Sequence, residues 1–281
     1  MLNMKILVTG ANGMLGQDLC PMLEDADFVD EVVETDVDTL DITNEIQVNK
    51  VLKETQPDVV IHCAAYTNVD KAEDDMATAE KINVTGTENL AIACGKLGIT
   101  MLVISTDYVF DGNKKSKYMP LDATNPLNNY GLTKWQAEEA VRTYCKQYYV
   151  VRTSWLYGHH GKNFVETMIN CAKQGKELKV VNDQIGCPTW TVALSEGIID
   201  LLDEMPEYGT YHICGSGQTS WYDFAKEIFS LTGIEAKLTP CTTEEYPVKA
   251  KRPKYSVMEN DGVCDDWKKS LKEYLALRIE D

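Results

Sequence analysis

Short apolar runs alternate along the first half of the chain with segments of helical periodicity. MKILVTG, Met4 to Gly10, is an apolar run closed by glycine, the pattern of a strand buried in a parallel sheet. MLGQDLCPMLE follows at helical spacing, with Pro21 as an expected interruption in its second turn. FVDEVVETD predicts a second strand. NEIQVNKVLKETQPD predicts a helix with Ile46, Val48, Val51 and Leu52 on its apolar side and Pro57 as its stop. VVIHCAA, Val59 to Ala65, predicts a third strand, and ATAEKINVTGTENLAIACGKLG one long helix ending at Gly98. TMLVIST (Thr100 to Thr106) is a fourth strand candidate, NPLNNYGLTKWQAEEA (Asn125 to Ala140) an amphipathic helix, and YYVVRTSWLYG (Tyr148 to Gly158) a fifth strand.

This order predicts an α/β fold, a doubly wound parallel sheet with right-handed crossovers, in which a ligand sits outside the carboxyl ends of the strands. Beyond about residue 155 the alternation weakens, and Pro240, Pro247 and Pro253 punctuate a loop-rich stretch before a last helix around Trp267 to Leu277. The expected division is a Rossmann-like dinucleotide-binding domain over 1–155 and a smaller substrate-binding lobe over 156–281. The chain is expected to cross back to the first domain around 182–215. No internal repeat interrupts this picture.

Composition narrows the function. A formal net charge of −17 argues against nucleic acid and against anionic membrane surfaces as partners. No apolar run approaches the length of a membrane span. The nine cysteines form no Cys-x-x-Cys pair and are odd in number, a pattern of reduced thiols in a cytosol. The four histidines, His62, His159, His160 and His212, are too dispersed for a metal cluster, so no metal is expected. With no signal segment at the N-terminus, the expectation is a cytoplasmic protein.

The candidate chemistry falls just after the predicted strands. GANGMLG sets Gly10, Gly13 and Gly16 between the first strand and first helix, where glycine lets the backbone approach a pyrophosphate and the helix start offers free N–H groups. Asp36, after the second strand, is positioned to bond the adenosine ribose of NAD, with Glu34 as its rival if the strand ends earlier. An acid there favours NAD without excluding NADP. Asp41 and Ile42 are candidates to flank the adenine. Ala64 and Ala65, ending the third strand, either admit a flat cofactor or merely satisfy packing. Thr106, ending the fourth strand in STDYVFDG, either bonds a substrate carbonyl or caps a turn.

Tyr130 and Lys134 are one helical turn apart and share a face. Alone they would be a surface pair. If they point to the same edge as Thr106, they become an acid and its activator, since a neighbouring ammonium and a positive nicotinamide ring lower a phenol's pKa from near 10.

GANGMLG, STDYVFDG, PLNNYGLTK, RTSWLYG and NDQIGCPT together resemble the extended short-chain dehydrogenases and, more narrowly, the dTDP-4-dehydrorhamnose reductases. The resemblance runs from Met4 to the KRP at Arg252. It implies NADH- or NADPH-dependent reduction of the C4 ketone of dTDP-4-dehydro-L-rhamnose, with Thr106, Tyr130 and Lys134 as the catalytic triad. It further implies that Gly10, Gly13 and Gly16 cradle the pyrophosphate with backbone from Asn12, Met14 and Leu15, and that Ala64 and Ala65 line the cofactor. Tyr108 and Trp155 would pack beside the deoxysugar. Asn182, Asp183 and Gln184 would build the nucleotide-sugar pocket, with Arg252 on the diphosphate. Asn83 matches a position the superfamily uses near the active site, or it bonds neighbouring helix backbone. The expected partner is the sugar nucleotide, and the expected state a monomer or homodimer. The rival readings are a nucleotide-sugar epimerase or dehydratase on the same frame, and a non-catalytic regulatory subunit of the methionine adenosyltransferase type.

Overall fold

Successive residues of each central strand enter different hydrophobic clusters, as a sheet covered on both faces requires. Ile6 and Val8 pack into one, while Leu7 between them packs into the other; Ile61 and Val60, and Val151 and Val150, divide the same way. The structure is a computed structural model describing residues 3–260 and 262–278.

The first half folds as β1 (Met4–Thr9), α1 (Gly16–Glu24), β2 (Val29–Thr35), α2 (Glu45–Thr55), β3 (Val59–His62), α3 (Val69–Asp74), α4 (Met76–Glu80), α5 (Thr87–Leu97), β4 (Thr100–Thr106), α6 (Asn129–Tyr144) and β5 (Tyr148–Thr153). The second half adds β6 (Leu156–Tyr157), α7 (Phe164–Lys173), β7 (Glu177–Val181), β8 (Ile185–Gly186), β9 (Thr189–Trp190), α8 (Thr191–Glu204), β10 (Gly209–His212), β11 (Thr219–Ser220), α9 (Trp221–Thr232), β12 (Lys237–Cys241) and α10 (Trp267–Leu277).

Six strands form the main sheet in the order β10-β5-β4-β3-β1-β2, every neighbouring pair parallel. Leu19 and Leu23 of α1 and Leu194 and Ile198 of α8 cover one face. Val48 and Leu52 of α2, Leu90 and Cys94 of α5 and Val141 of α6 cover the other. The chain leaves β1 toward β2 on one side and returns to β3 on the other. That reversal opens a crevice at the carboxyl ends of β1 and β3.

Three elements differ from expectation. The first helix runs through Pro21 rather than stopping there; Leu19, Cys20 and Leu23 are buried on its inner side, and their packing offsets the missing hydrogen bond. The predicted long helix is divided into α4, a π-helical stretch at Lys81–Gly86, and α5. Its cause is tertiary: Asn83 Oδ1 accepts from Tyr66 N at 2.7 Å, and Asn83 Nδ2 donates to Tyr66 O at 3.1 Å and to Thr133 Oγ1 at 3.0 Å. These bonds draw the helix toward α6 and favour the wider turn. The fifth strand ends at Thr153, because Trp155 takes a left-handed φ of +47° and lies flat on Trp221, 3.6 Å between ring centroids. The chain past that kink pairs with β9 instead.

Candidate active site

A cleft of about 780 Å³ opens over the carboxyl ends of β1, β3 and β4. Gly10, Gly13, Met14, Leu15 and Gly16 form one wall. Gly10 has a φ of +73°. A Cβ there would lie 2.7 Å from Ala64 N, and one on Gly16 would lie 2.4 Å from Ala11 O. Both contacts are with backbone, so neither position accepts a side chain, and the loop can come close to a flat ligand. No side chain caps the start of α1; Gln17 N and Asp18 N donate to Gly13 O and Leu15 O, so it is the amides just before them that can meet an anion. Ala64 and Ala65 face this loop across the crevice. The residues present therefore fit a dinucleotide.

Asp36, one residue past β2, lines the cleft; its Oδ2 accepts from Asn12 N at 3.0 Å and its Oδ1 from Val37 N at 2.7 Å. Glu34 is exposed on the strand outside the cleft, so the rival position drops out. Asn12 is also off the lining: its N–H is spent on Asp36, which corrects the expectation that this amide faces the pyrophosphate. Asp41 and Ile42 line the same end. Hydrogen bonds from the Thr43 hydroxyl and N–H hold the Asp41 carboxyl below its ordinary range.

Thr106 ends β4, and Tyr130 is the second residue of α6. The start of α6 is pinned from three directions: Asn128 Oδ1 accepts from Gly131 N at 2.8 Å, Asn128 Nδ2 donates to Lys251 O at 2.8 Å, and Asn129 N donates to Glu73 Oε1 at 2.8 Å. Gly131 lets the helix approach the 107–109 turn, since a Cβ there would stand 2.2 Å from Tyr108 O. Thr106, Tyr130 and Lys134 all line the cleft, and the Thr106 hydroxyl accepts from Tyr108 N at 3.1 Å. Lys134 is 3% exposed.

The electrostatics differ from the expected phenol-lowering pair. Burial raises Tyr130 to about 12, with the Asp107 carboxyl adding to the rise and the Thr106 hydroxyl opposing it; the Lys134 charge is not among the causes. Desolvation dominates here, and the phenol stays protonated at neutral pH. Burial likewise lowers Lys134 to about 8, with Glu138 and Cys63 holding it up. His62, buried and bonded to Thr9 and Thr87, is depressed to about 3 and stays neutral.

Asp107 went unrecognised in the sequence, although it stands inside STDYVFDG; turn chemistry accounted for it there. In the fold it is 2% exposed and lines the cleft. Its Oδ1 accepts from Thr106 Oγ1 at 3.1 Å and its Oδ2 from Ser256 Oγ at 2.6 Å, while burial pushes its carboxyl up to about 7. Thr153 is another: its hydroxyl is buried without a partner beside the register position of Thr106, and the residue lines the cleft.

Tyr108 and Trp155 also line the cleft, and Gly186 clears room for the indole, a Cβ there falling 2.5 Å from Trp155 Cε2. The remaining candidates stand off it. Asp183 Oδ1 accepts from Thr243 N at 2.9 Å and Gln184 Nε2 donates to Thr243 Oγ1 at 3.1 Å, so both tie the segment after β7 to the segment after β12; Asn182 is exposed. Arg252 is held by Asp70, Nη2 to Oδ2 at 2.7 Å and Nη1 to Oδ1 at 3.2 Å, and touches Tyr108 behind the lining. Asn83 clamps Tyr66 to α6 and does not reach the cleft. Among the described residues no cluster of His, Cys, Asp or Glu has the make-up of a metal site, and no helix is long and apolar enough to cross a membrane.

Comparison with known proteins gives this geometry a family. The RmlD substrate binding domain family matches residues 4–277. The spore coat polysaccharide biosynthesis protein SpsK of Bacillus subtilis is 40% identical, covering 98% of each chain. The solved dTDP-4-dehydrorhamnose reductase of Clostridium acetobutylicum is 52% identical with a TM-score of 0.94, covering 98% of this chain and 99% of that one. That of Bacillus anthracis, solved in complex with NADP, is 39% identical with a TM-score of 0.92, covering 99% and 100%. Agreement over so much of the chain, in sequence and in shape, means that the chain belongs to the RmlD substrate binding domain family, the family of the dTDP-4-dehydrorhamnose reductases.

Proposed function

We propose that the protein reduces the C4 ketone of dTDP-4-dehydro-L-rhamnose to dTDP-L-rhamnose, with NADH or NADPH as reductant. The observation that carries this reading is the meeting of Thr106, Tyr130 and Lys134 in one cleft with the glycine cradle. The relatives named as reductases, one of them holding NADP, support the same chemistry.

When bound, the reduced nicotinamide supplies hydride to the ketone carbon. Thr106 hydrogen-bonds the ketone oxygen and fixes its position. Tyr130 gives its phenolic proton to that oxygen as negative charge develops; a phenol held protonated by burial is in the correct state to do so. Lys134, one turn along α6, stabilises the phenolate left behind and bonds the nicotinamide ribose. Tyr108 and Trp155 pack against the deoxysugar. Arg252 takes the substrate's diphosphate by exchanging Asp70 for it, with Asn182, Asp183 and Gln184 bordering the nucleotide. In this reading residues 1–155 serve mainly the cofactor and 156–281 mainly the substrate. The protein is a cytoplasmic enzyme, monomer or homodimer, whose partner is the sugar nucleotide.

The test mixes the protein with dTDP-4-dehydro-L-rhamnose and either reduced cofactor, and follows nicotinamide absorbance and product together. One cofactor consumed per dTDP-L-rhamnose formed is the expected result. Product without net cofactor consumption would mean an epimerase, and no turnover would end the reading.

A further inference from the structure

The cleft lining carries three carboxylates, Asp36, Asp41 and Asp107, and two ammonium groups, Lys134 and Lys162. Lys134 is buried, one turn along α6 from Tyr130. Arg252, behind the lining, is already paired with Asp70. Lys162 differs from both: it is exposed at the cleft, and it has no hydrogen bond or ion pair to another described residue.

Its backbone is held by hydrogen bonds. Lys162 lies in the turn between β6 and α7, and Asn163 holds both ends of that turn, donating from Nδ2 to Gly158 O at 2.7 Å and accepting at Oδ1 from Glu166 N at 3.1 Å. The turn reaches over the start of α1: His160 Nε2 lies 3.4 Å from Asp18 Oδ1, and a Cβ on Gly161 would lie 4.0 Å from Met14 Cε. Lys162 is thus carried by the C-terminal half of the chain to the mouth of the glycine cradle. Among the described residues, the ties of this turn toward the first half go to the cradle and its helix.

We propose that Lys162 clamps the pyrophosphate of the dinucleotide from the side opposite the glycine cradle. A pyrophosphate brings two negative charges to a chain of net charge −17, so the uncapped start of α1 meets it on one side and a free ammonium on the other. The bound cofactor then joins the two halves of the chain across the cleft. The clamp rests on the nicotinamide-dependent reading above and adds a cofactor contact to it.

Titration calorimetry on the intact protein tests it with three probes: NADH, ADP-ribose, which keeps the pyrophosphate but lacks nicotinamide, and dTDP for the substrate side. Lys162→Ala is expected to weaken NADH and ADP-ribose alike by about tenfold at low salt, the size of one charge-assisted contact. The loss should shrink as salt is raised, Lys162→Arg should recover it, and dTDP binding should not change. Unchanged binding of ADP-ribose by Lys162→Ala would overturn the clamp alone. Weakened dTDP with unchanged ADP-ribose would overturn it too, by assigning the ammonium to the substrate diphosphate. Wild-type protein that binds neither NADH nor ADP-ribose would overturn the functional reading, and the clamp with it.

Discussion

The ring of Tyr130 meets that of Tyr108 edge-on, with 5.9 Å between centroids and 78° between planes. The aromatic contact depends on the ring and the proton transfer on the hydroxyl, so one substitution separates them. Tyr130→Phe should leave the packing and the NADH dissociation constant within about twofold and lower kcat by ~10²-fold or more. Steady-state kinetics with calorimetry on the same variant would check this. Retention of most of kcat would mean another group donates the proton.

Asp107 offers a pH-dependent outcome. Its carboxyl is raised to about 7 from the ordinary value of 3.8, so between those values the unfolded chain ionises while the folded one resists. Stability attributable to this group therefore falls as pH rises through that window, and the full penalty is present above it. Asp107→Asn mimics the neutral acid. It should raise Tm at pH 8, on the order of 5 °C, and change it little at pH 4. Thermal melts at the two pH values would reveal it; equal shifts at both would rule out ionisation as the cause.

Asp36 should govern the choice of reductant. Its carboxylate is held at the adenosine end by two backbone N–H groups, Asp41 lies beside it, and neither of the cleft's two lysines belongs to that end. Lys81 acts on Asp41 but is not on the lining. A 2′-phosphate would be repelled, so kcat/KM should favour NADH over NADPH by about tenfold. Asp36→Asn should narrow the ratio chiefly by improving NADPH. A wild-type preference for NADPH would contradict this.

Beneath the site, Glu138 is fully buried and accepts from Ser105 Oγ at 2.5 Å, Arg152 Nε at 2.8 Å, Arg152 Nη2 at 2.7 Å and Arg142 Nη2 at 2.9 Å. Glu138→Ala would leave Arg152, 2% exposed, without its carboxylate. The expected loss in urea unfolding is ~3–5 kcal/mol. Arg142→Ala, nearer the surface, should lose no more than about 1 kcal/mol. Similar losses for both would mean that Arg152 finds a replacement partner.

Local pattern was enough to determine the alternating elements, the glycine cradle, the acid after the second strand and the shared face of Tyr130 and Lys134. Each of these records backbone geometry or burial within a few neighbouring residues, and periodicity carries that directly. What only the tertiary structure decided depends on chain segments far apart in sequence. Asn83 reaches Tyr66 and Thr133, which turns one expected helix into two around a π-helical stretch. Arg252 finds Asp70, so a residue expected to be free for a diphosphate is already paired. Gly209–His212 reads as a strand in GTYHICG, but its place in the main sheet beside β5 is set by pairing with a segment far away in sequence. Asp107 and Tyr130 owe their raised pKa values to desolvation, and desolvation exists only once distant parts of the chain have closed around them.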